Sequence, residues 1–299
     1  MAIIKLENVS YTYPRTAAPA LRGVSLEISE GDCIALMGQN GSGKTTFCKL
    51  INGVIPHSHN GKLEGTVIVD GLVTRETPVP VLASRVAVVH DDPDTQLFTS
   101  TVRDELAFGP ENLGVEPDEI EDRVARALEE TGLFPYSDTP PADLSGGQKQ
   151  LLAIAAALVM EPRILVLDEP TSQLDPWAAA EVLALISRIR IARIQKRGGL
   201  TVIMATHNGE EAAEFADKIC VLDEGKLAAY GSPREIFRND ELIRNAYIRR
   251  PDVSELSAYL SGHGRPLPLF PINIDEARDS IEAQAAIEAQ NAIPGRSGV

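Results

Sequence analysis

The stretch Gly38–Thr46, GQNGSGKTT, constrains the fold of this chain more than any other. It follows the all-apolar run Ile34–Met37 and opens a helical pattern, so the GxxxxGK[ST] spacing has the strand–loop–helix setting it requires. Glycines at Gly38, Gly41 and Gly43 let the backbone fold tightly, so that its N–H groups can point inward at phosphate oxygens. The start of the helix adds partial positive charge. Lys44 can reach terminal phosphates, and Thr45 can ligate Mg²⁺. Gln39, Asn40, Ser42 and Thr46 complete the candidate phosphate contacts. This motif predicts a nucleotide but not a function, since kinases, GTPases, helicases and transport motors share it.

A strand feeding such a loop belongs in a parallel sheet. Further apolar runs, Val86–Val89, Ile164–Leu167 and Val202–Ala205, lack polar alternation and predict strands covered on both faces. Helical patterns at Thr46–Gly53, Glu116–Thr131 and Gln148–Met160 lie between them. The stretches IIKLENVSYTY and KLEGTVIVDG alternate, which predicts a smaller antiparallel sheet beside the parallel one.

Two of the apolar runs end in candidate catalytic groups. Ligands of open parallel sheets bind at the carboxyl ends of strands. Asp168, at the end of ILVLD, can hold Mg²⁺, and Glu169 can polarise a water for attack on a γ-phosphate. His207, in VIMATHN, takes the same place after another strand.

The net charge of −15 disfavours non-specific nucleic-acid binding. Cys33, Cys48 and Cys220 are odd in number, far apart and without a CxxC pair, as expected of small core residues in a reducing compartment. MAIIKLENVSYTY has no basic region followed by an apolar block, so no signal peptide is expected. The longest apolar run, Leu151–Met160, is roughly half of the ~20 residues that span a bilayer. Any membrane role therefore needs a partner.

LSGGQKQLLAIAAAL, Leu144–Leu158, sharpens the reading. Ser145, Gly146 and Gly147 precede a helix expected near Gln148 and make a second anion-binding helix start. One nucleotide in one chain does not need two phosphate cradles, whereas two chains related by a twofold axis do. Here the sequence resembles the ATP-binding cassette (ABC) ATPases, whose signature is LSGGQ. The resemblance covers about residues 3–240. It implies an α/β P-loop NTPase core with a mainly parallel sheet, a small antiparallel β subdomain and an inserted helical subdomain at about 100–160. ATP and Mg²⁺ are the implied cofactors. Tyr13 matches the residue that stacks on adenine, and SQLD, ending in Asp175, matches the D-loop that crosses the dimer interface. His207 matches the switch histidine, and Leu144, Ser145, Gly146, Gly147 and Gln148 are implied to act on the partner chain's ATP.

A narrower resemblance rests on DPDTQLF (Asp92–Phe98), TVRDELAFGPENLG (Thr101–Gly114), GSPREIF and RRPDVSELSAYL. It is to the ATPases of energy-coupling factor transporters, which import vitamins and transition-metal ions such as cobalt and nickel. It implies a homo- or heterodimer of such ATPases at the cytoplasmic face of the membrane. A transmembrane coupling subunit and a separate substrate-capture subunit are the implied partners, and no nucleic acid. Gln96–Gly114 is the implied lever to the membrane. The cassette is expected over 1–235 and a dimerisation or regulatory extension over 236–299. Within it Pro266–Pro271 reads as a linker, Asp275–Asn291 as a helix with a weak apolar face, and PGRSGV as disordered.

Three positions depart from the family pattern. Asp91 replaces the Q-loop Gln that senses Mg²⁺ and the attacking water, Asn208 follows the switch histidine where Asp is frequent, and Gln173 sits at a D-loop position that is usually small or apolar. The helix over AEVLALISRIRIARIQKRGG is also longer and more basic than the pattern implies. Of the acidic cluster in VVHDDPDTQLF, Asp92 and Asp94 around Pro93 read as a turn and Asp91 as a candidate metal contact beside Thr45 and Asp168. Another ABC importer class, a subunit that binds ATP without efficient hydrolysis, and a soluble ABC ATPase remain the alternatives.

Overall fold

The computed structural model describes residues 2–195 and 199–291. The chain opens with β1 (Ala2–Thr12), β2 (Leu21–Ser29) and β3 (Cys33–Met37), then α1 (Lys44–Ile51) and α2 (Val54–His57). β4 (Lys62–Val69), β5 (Leu72–Val73), α3 (Val79–Ala83) and β6 (Val86–Val89) follow. Three helices come next, α4 (Val102–Asn112), α5 (Pro117–Glu130) and α6 (Gly146–Leu158). The chain returns through β7 (Ile164–Asp168), α7 (Pro176–Gln195), β8 (Thr201–Ala205), α8 (Gly209–Phe215), β9 (Lys218–Asp223) and β10 (Lys226–Gly231). It ends in α9 (Pro233–Arg238), α10 (Asp240–Asn245), α11 (Asp252–Gly262) and α12 (Ile274–Asn291).

The main sheet has the order β10-β9-β3-β8-β7-β6. Every pairing in it is parallel except β10 with β9. A second, antiparallel sheet has the order β2-β1-β4-β5. The lack of polar alternation in the central strands now has its reason. Leu165, Leu167, Val202 and Met204 face a core shared with α4, α5, α6 and α7. Ile164, Val166, Ile203 and Ala205 face the opposite core, shared with α1 and the antiparallel sheet. Successive side chains point to opposite faces, and both faces are dry.

Two helix starts fall earlier than the sequence pattern suggests. α1 begins at Lys44 because Gly43, at φ 110°, turns straight into the helix. α6 begins at Gly146, since Ser145 caps it: Ser145 Oγ accepts from the Gln148 N–H at 3.3 Å and Gln148 Oε1 accepts from the Ser145 N–H at 2.9 Å. The two glycines thus form the first turn instead of preceding it.

The expected boundary at residue 235 falls inside α9, whose own capping box joins Ser232 and Glu235. Ile236, Phe237, Ala246 and Ile248 are buried with Ala35 and Met37 of β3 and Ala212 and Ala213 of α8. The start of the extension therefore shares the cassette's core. The second half of the proline-rich piece between α11 and α12 is held by two contacts: Ser254 Oγ donates to the Pro271 carbonyl at 2.7 Å, and Leu269 exchanges hydrogen bonds with Ser280. α12 buries Ala277 and Ser280 and leaves Ile281 exposed, a narrow apolar face. PGRSGV lies outside the described residues, as do 196–198 at the end of the long basic stretch.

Two basic residues of α7, Arg188 and Arg190, have structural partners. Arg190 donates to the Gly31 carbonyl at 3.1 Å and pairs with Asp217, and Arg188 donates to the Glu130 carbonyl at the end of α5. All three cysteines are free and buried. Burial pushes the Cys220 thiol up to about 12 and raises those of Cys33 and Cys48 further. Thiolate is the reactive form, so the folded protein should resist an aromatic disulfide reagent at neutral pH. All three thiols should react once the chain is denatured; rapid labelling of the native protein would contradict this burial.

Candidate functional site

Parallel pairing aligns the ends of three strands. β3 runs into the phosphate loop, and Asp168 at the end of β7 lies in register with Ala205 at the end of β8. Lys44 is almost fully buried, and its Nζ donates to the carbonyls of Gly38 (2.7 Å) and Gln39 (3.1 Å). Burial pushes its pKa down, while Glu169 and Asp168 push it back up. The loop leaves little room for a side chain at Gly38. A Cβ there would meet the Leu222 carbonyl oxygen at 2.2 Å, and its φ of 145° is a region that L side chains rarely adopt. Ser42 Oγ is buried without a hydrogen-bond partner. A desolvated ammonium, an orphaned hydroxyl and a glycine-lined turn together fit a polyphosphate.

Thr45 extends this fit to a divalent ion. Its hydroxyl lies near enough to the Asp168 carboxylate to favour the ionised form. Burial holds the Asp168 carboxyl above the usual range, with Asp91 and then Glu169 adding to the rise, while His90 and Thr45 oppose it. Asp91 therefore stands close enough to Asp168 to feel its charge. Among the described residues no three His, Cys, Asp or Glu side chains form a metal cage of their own. That suits Mg²⁺, which is held by one or two carboxylates with substrate phosphates and waters supplying the rest.

Glu169 adopts φ 49°, a left-handed conformation that costs a non-glycine residue about 1–3 kcal/mol. Its N–H is fixed to the Ala205 carbonyl at 2.9 Å. The turn brings Glu169 Oε2 to 3.3 Å from His207 Nδ1. His207 otherwise stands clear, its side chain 69% exposed. Asn208 caps α8 by accepting from the Glu210 N–H at 3.0 Å, which gives this departure from the family pattern a structural role. Glu211 was not singled out from the sequence. Its carboxylate accepts from the hydroxyls of Thr171 (2.8 Å) and Thr206 (3.1 Å), and so ties the segment after Glu169 to the segment before His207. A cavity of about 400 Å³ opens here, lined by Glu169, Ser172, Leu174, His207, Asn208 and Glu214 among others.

Tyr13 lies over the start of α1, its hydroxyl 3.1 Å from Thr46 Oγ1. Its ring meets Tyr11 edge-on at 4.9 Å and His59 at 6.0 Å. Asp175 serves as the cap of α7, its Oδ1 accepting the N–H groups of Trp177 (2.9 Å) and Ala178 (3.0 Å). The signature residues from Leu144 to Gln148 are built on α6. Among the described residues no hydrogen bond or ion pair joins them to Gly38–Thr46 or to Glu169.

The acidic loop after β6 is an ordered turn. Asp92 Oδ1 accepts from the Asp94 N–H at 3.0 Å, and Pro93–Thr95 form a single 3₁₀ turn. Gln96 reaches back to the strand, accepting from the His90 N–H (2.8 Å) and donating to the Val88 carbonyl (3.0 Å). Lys149 of α6 pairs with Asp94 at 2.7 Å. Buried Glu105 of α4 takes the N–H groups of Phe98 (3.0 Å) and Thr99 (2.9 Å). Asp91 is the aspartate of this loop whose charge acts on Asp168.

Comparison with known proteins places this geometry. The family model described as ABC transporter matches residues 21–172. A putative ABC transporter ATP-binding protein of Pyrococcus abyssi is 46% identical over 264 residues, 88% of this chain and 92% of that one. The energy-coupling factor transporter ATP-binding protein EcfA of Methanothermobacter thermautotrophicus is 40% identical over 256 residues, 85% of this chain and 78% of that one. The solved structure of cbiO1 from Clostridium perfringens, described as part of the ABC transporter complex cbiONQ, superposes with a TM-score of 0.70. It is 35% identical and covers 85% of this chain and 98% of that one.

The charge of Asp91 gives a direct test. A carboxylate beside Asp168 strengthens attraction for a divalent cation and repels bare phosphate. Asp91→Gln should therefore bind ATP with a weaker dependence on Mg²⁺, read by titrating the metal at fixed nucleotide. Identical titrations for both forms would remove Asp91 from the metal site.

Proposed function

The chain belongs to the ABC transporter ATPases, whose ATP hydrolysis is coupled to transport, and from that premise we propose that it drives an importer of the energy-coupling factor type. In this reading it works as a dimer on the cytoplasmic face of the membrane. It powers uptake of a vitamin or a transition-metal ion such as cobalt or nickel through a coupling subunit and a substrate-capture subunit. The observation that carries the catalytic part is the approach of His207 Nδ1 to Glu169 Oε2 at 3.3 Å, at the strand ends beside Lys44. The relatives named for energy-coupling factor transport and the cbiO1 structure support the transport part.

Roles follow from position. Main-chain N–H groups of the phosphate loop and the Lys44 ammonium hold the β- and γ-phosphates, while Tyr13 supports the base. Thr45 and Asp168, with Asp91 beside them, would hold Mg²⁺, which when bound would neutralise phosphate charge. Glu169 takes a proton from the attacking water as general base, and His207 orients Glu169 and the γ-phosphate. The second cradle, Ser145–Gly147, serves the ATP of a partner chain, so bound γ-phosphate pulls the two chains together and its loss lets them part.

The output passes through the segment beginning at Gln96. A cavity of about 270 Å³ between β6, α4 and α6 is lined by Ala83, Val88, Leu97, Ala156 and Met160 among others. The exposed ring of Phe98 stands edge-on to Phe108 at its rim, 4.8 Å away. An apolar helix from the membrane coupling subunit fits such a groove. A related reading, the ATPase of another ABC importer class, is favoured by relatives named only as putative ABC transporter ATP-binding proteins.

Glu169→Gln should bind ATP normally and lose about 10²–10⁴-fold in turnover, remaining as a closed dimer. The chain has a single tryptophan, Trp177, 83% exposed next to the D-loop, so its fluorescence should report that closure. Near-normal turnover would remove Glu169 from its role. Phe98→Asp should leave ATPase activity intact while reducing co-purification of a coupling subunit. Recovery of the wild-type chain with nucleic acid or ribosomes in place of membrane subunits would overturn the transport reading.

A further inference from the structure

The segment Arg249–Asp252, between α10 and α11, is seated on the first turn of α8. Gly209 opens that turn, two residues after His207. A Cβ on Gly209 would meet the Arg249 carbonyl oxygen at 2.2 Å and the Arg250 carbonyl carbon at 2.9 Å. Both are main-chain atoms, so the two backbones are in direct contact and the need for glycine here is one of space. One residue on, Glu210 Oε1 accepts the Asp252 N–H at 2.7 Å. That donor is one of the N–H groups at the start of α11 that have no partner within the helix.

The elbow is itself held firmly. Arg250 is buried, with Nη2 donating to Asp240 Oδ1 at 2.6 Å and Nε 3.1 Å from Glu255 Oε2. Beneath it, Ala246 and Ile248 pack in one core with Ala212 and Ala213 of α8. On the opposite side of the same turn, Asn208 caps the helix and Glu211 holds Thr171 and Thr206. The His207 side chain is largely exposed, and its one ion-pair partner among the described residues is Glu169. Its place is therefore set by the backbone that carries it, and that backbone is gripped by the elbow.

We infer that the Arg249–Asp252 elbow is a positioning element for His207, with Gly209 and Glu210 as the positioning residues, so that the rate of ATP hydrolysis depends on how α10–α12 are seated. The inference rests on the reading of His207 as a catalytic group.

The test uses the full chain, with steady-state ATPase assays and nucleotide affinity measured separately. Asp252→Pro removes the N–H that Glu210 accepts, together with the exposed side-chain pair to Arg249, at a first helical position where proline is tolerated. Asp252→Ala keeps that N–H and loses only the exposed pair with Arg249. A displacement of about 1 Å can cost 10²-fold, so Asp252→Pro, Glu210→Ala and Gly209→Ala should lower kcat by about 10- to 100-fold with ATP affinity unchanged. Asp252→Ala should behave as wild type, and Glu210→Gln, which keeps the acceptor oxygen, should restore most of the rate. In a His207→Ala background, Asp252→Pro should add no further loss. Normal kcat for Asp252→Pro beside an inactive His207→Ala protein would overturn the inference. So would a further loss in the double variant, or a fall in ATP affinity that matches the fall in kcat. Full activity of His207→Ala would instead overturn the catalytic reading on which it rests.

Discussion

Parallel pairing of β3, β7 and β8 is the constraint on which the rest depends. Each strand is short and apolar, and each is locked in register with its neighbour. The register delivers the phosphate loop, the Asp168–Glu169 pair and His207 to one edge of the sheet. Burial of both faces makes that register hard to change, since a slip by one residue would exchange the side chains that face the two cores. The chemistry sits at loops, but it is placed by strands that cannot slide.

Electrostatics at this edge are held in opposition. Lys44 is desolvated in a loop whose carbonyls it satisfies, and Asp168 is pushed towards its neutral form by burial and by two neighbouring acids. Each group would be better accommodated with phosphate and a divalent cation between them. Glu169 adds backbone strain, fixed by its bond to Ala205. Such costs persist where the surrounding structure over-determines them, and here Glu211 ties the two flanking threonines together.

Features set by local spacing were legible in the sequence. The phosphate loop, the acidic pair after ILVL, His207, the turn at Asp92–Asp94 and the alternation of β1 and β4 all declare themselves within a few residues. What was missed depends on pairs distant in sequence. Glu211 gains meaning only because Thr171 lies across the site, and Gly209 only because Arg249 returns to it. The boundary near residue 235 was drawn from a change in composition, yet α9 crosses it, because Ile236 and Phe237 complete a core begun by Ala35 and Met37. The start of α6 was placed two residues late because glycines usually read as loop, whereas a reciprocal Ser–Gln cap draws both into the first turn. Asp91 was read as a metal contact from its alignment with the family's glutamine, and the structure adds that its charge helps to raise the Asp168 carboxyl.

That reciprocal cap has a directional consequence. A serine hydroxyl has one proton and two lone pairs. By accepting the Gln148 N–H, Ser145 turns a lone pair inward to its own helix, and its proton remains free to be given away. Gln148 occupies the Ser145 N–H in return, so the backbone there is saturated while the hydroxyl is not. The helix start is thereby polarised as a donor before anything arrives, ready for an oxyanion and poorly suited to a cation.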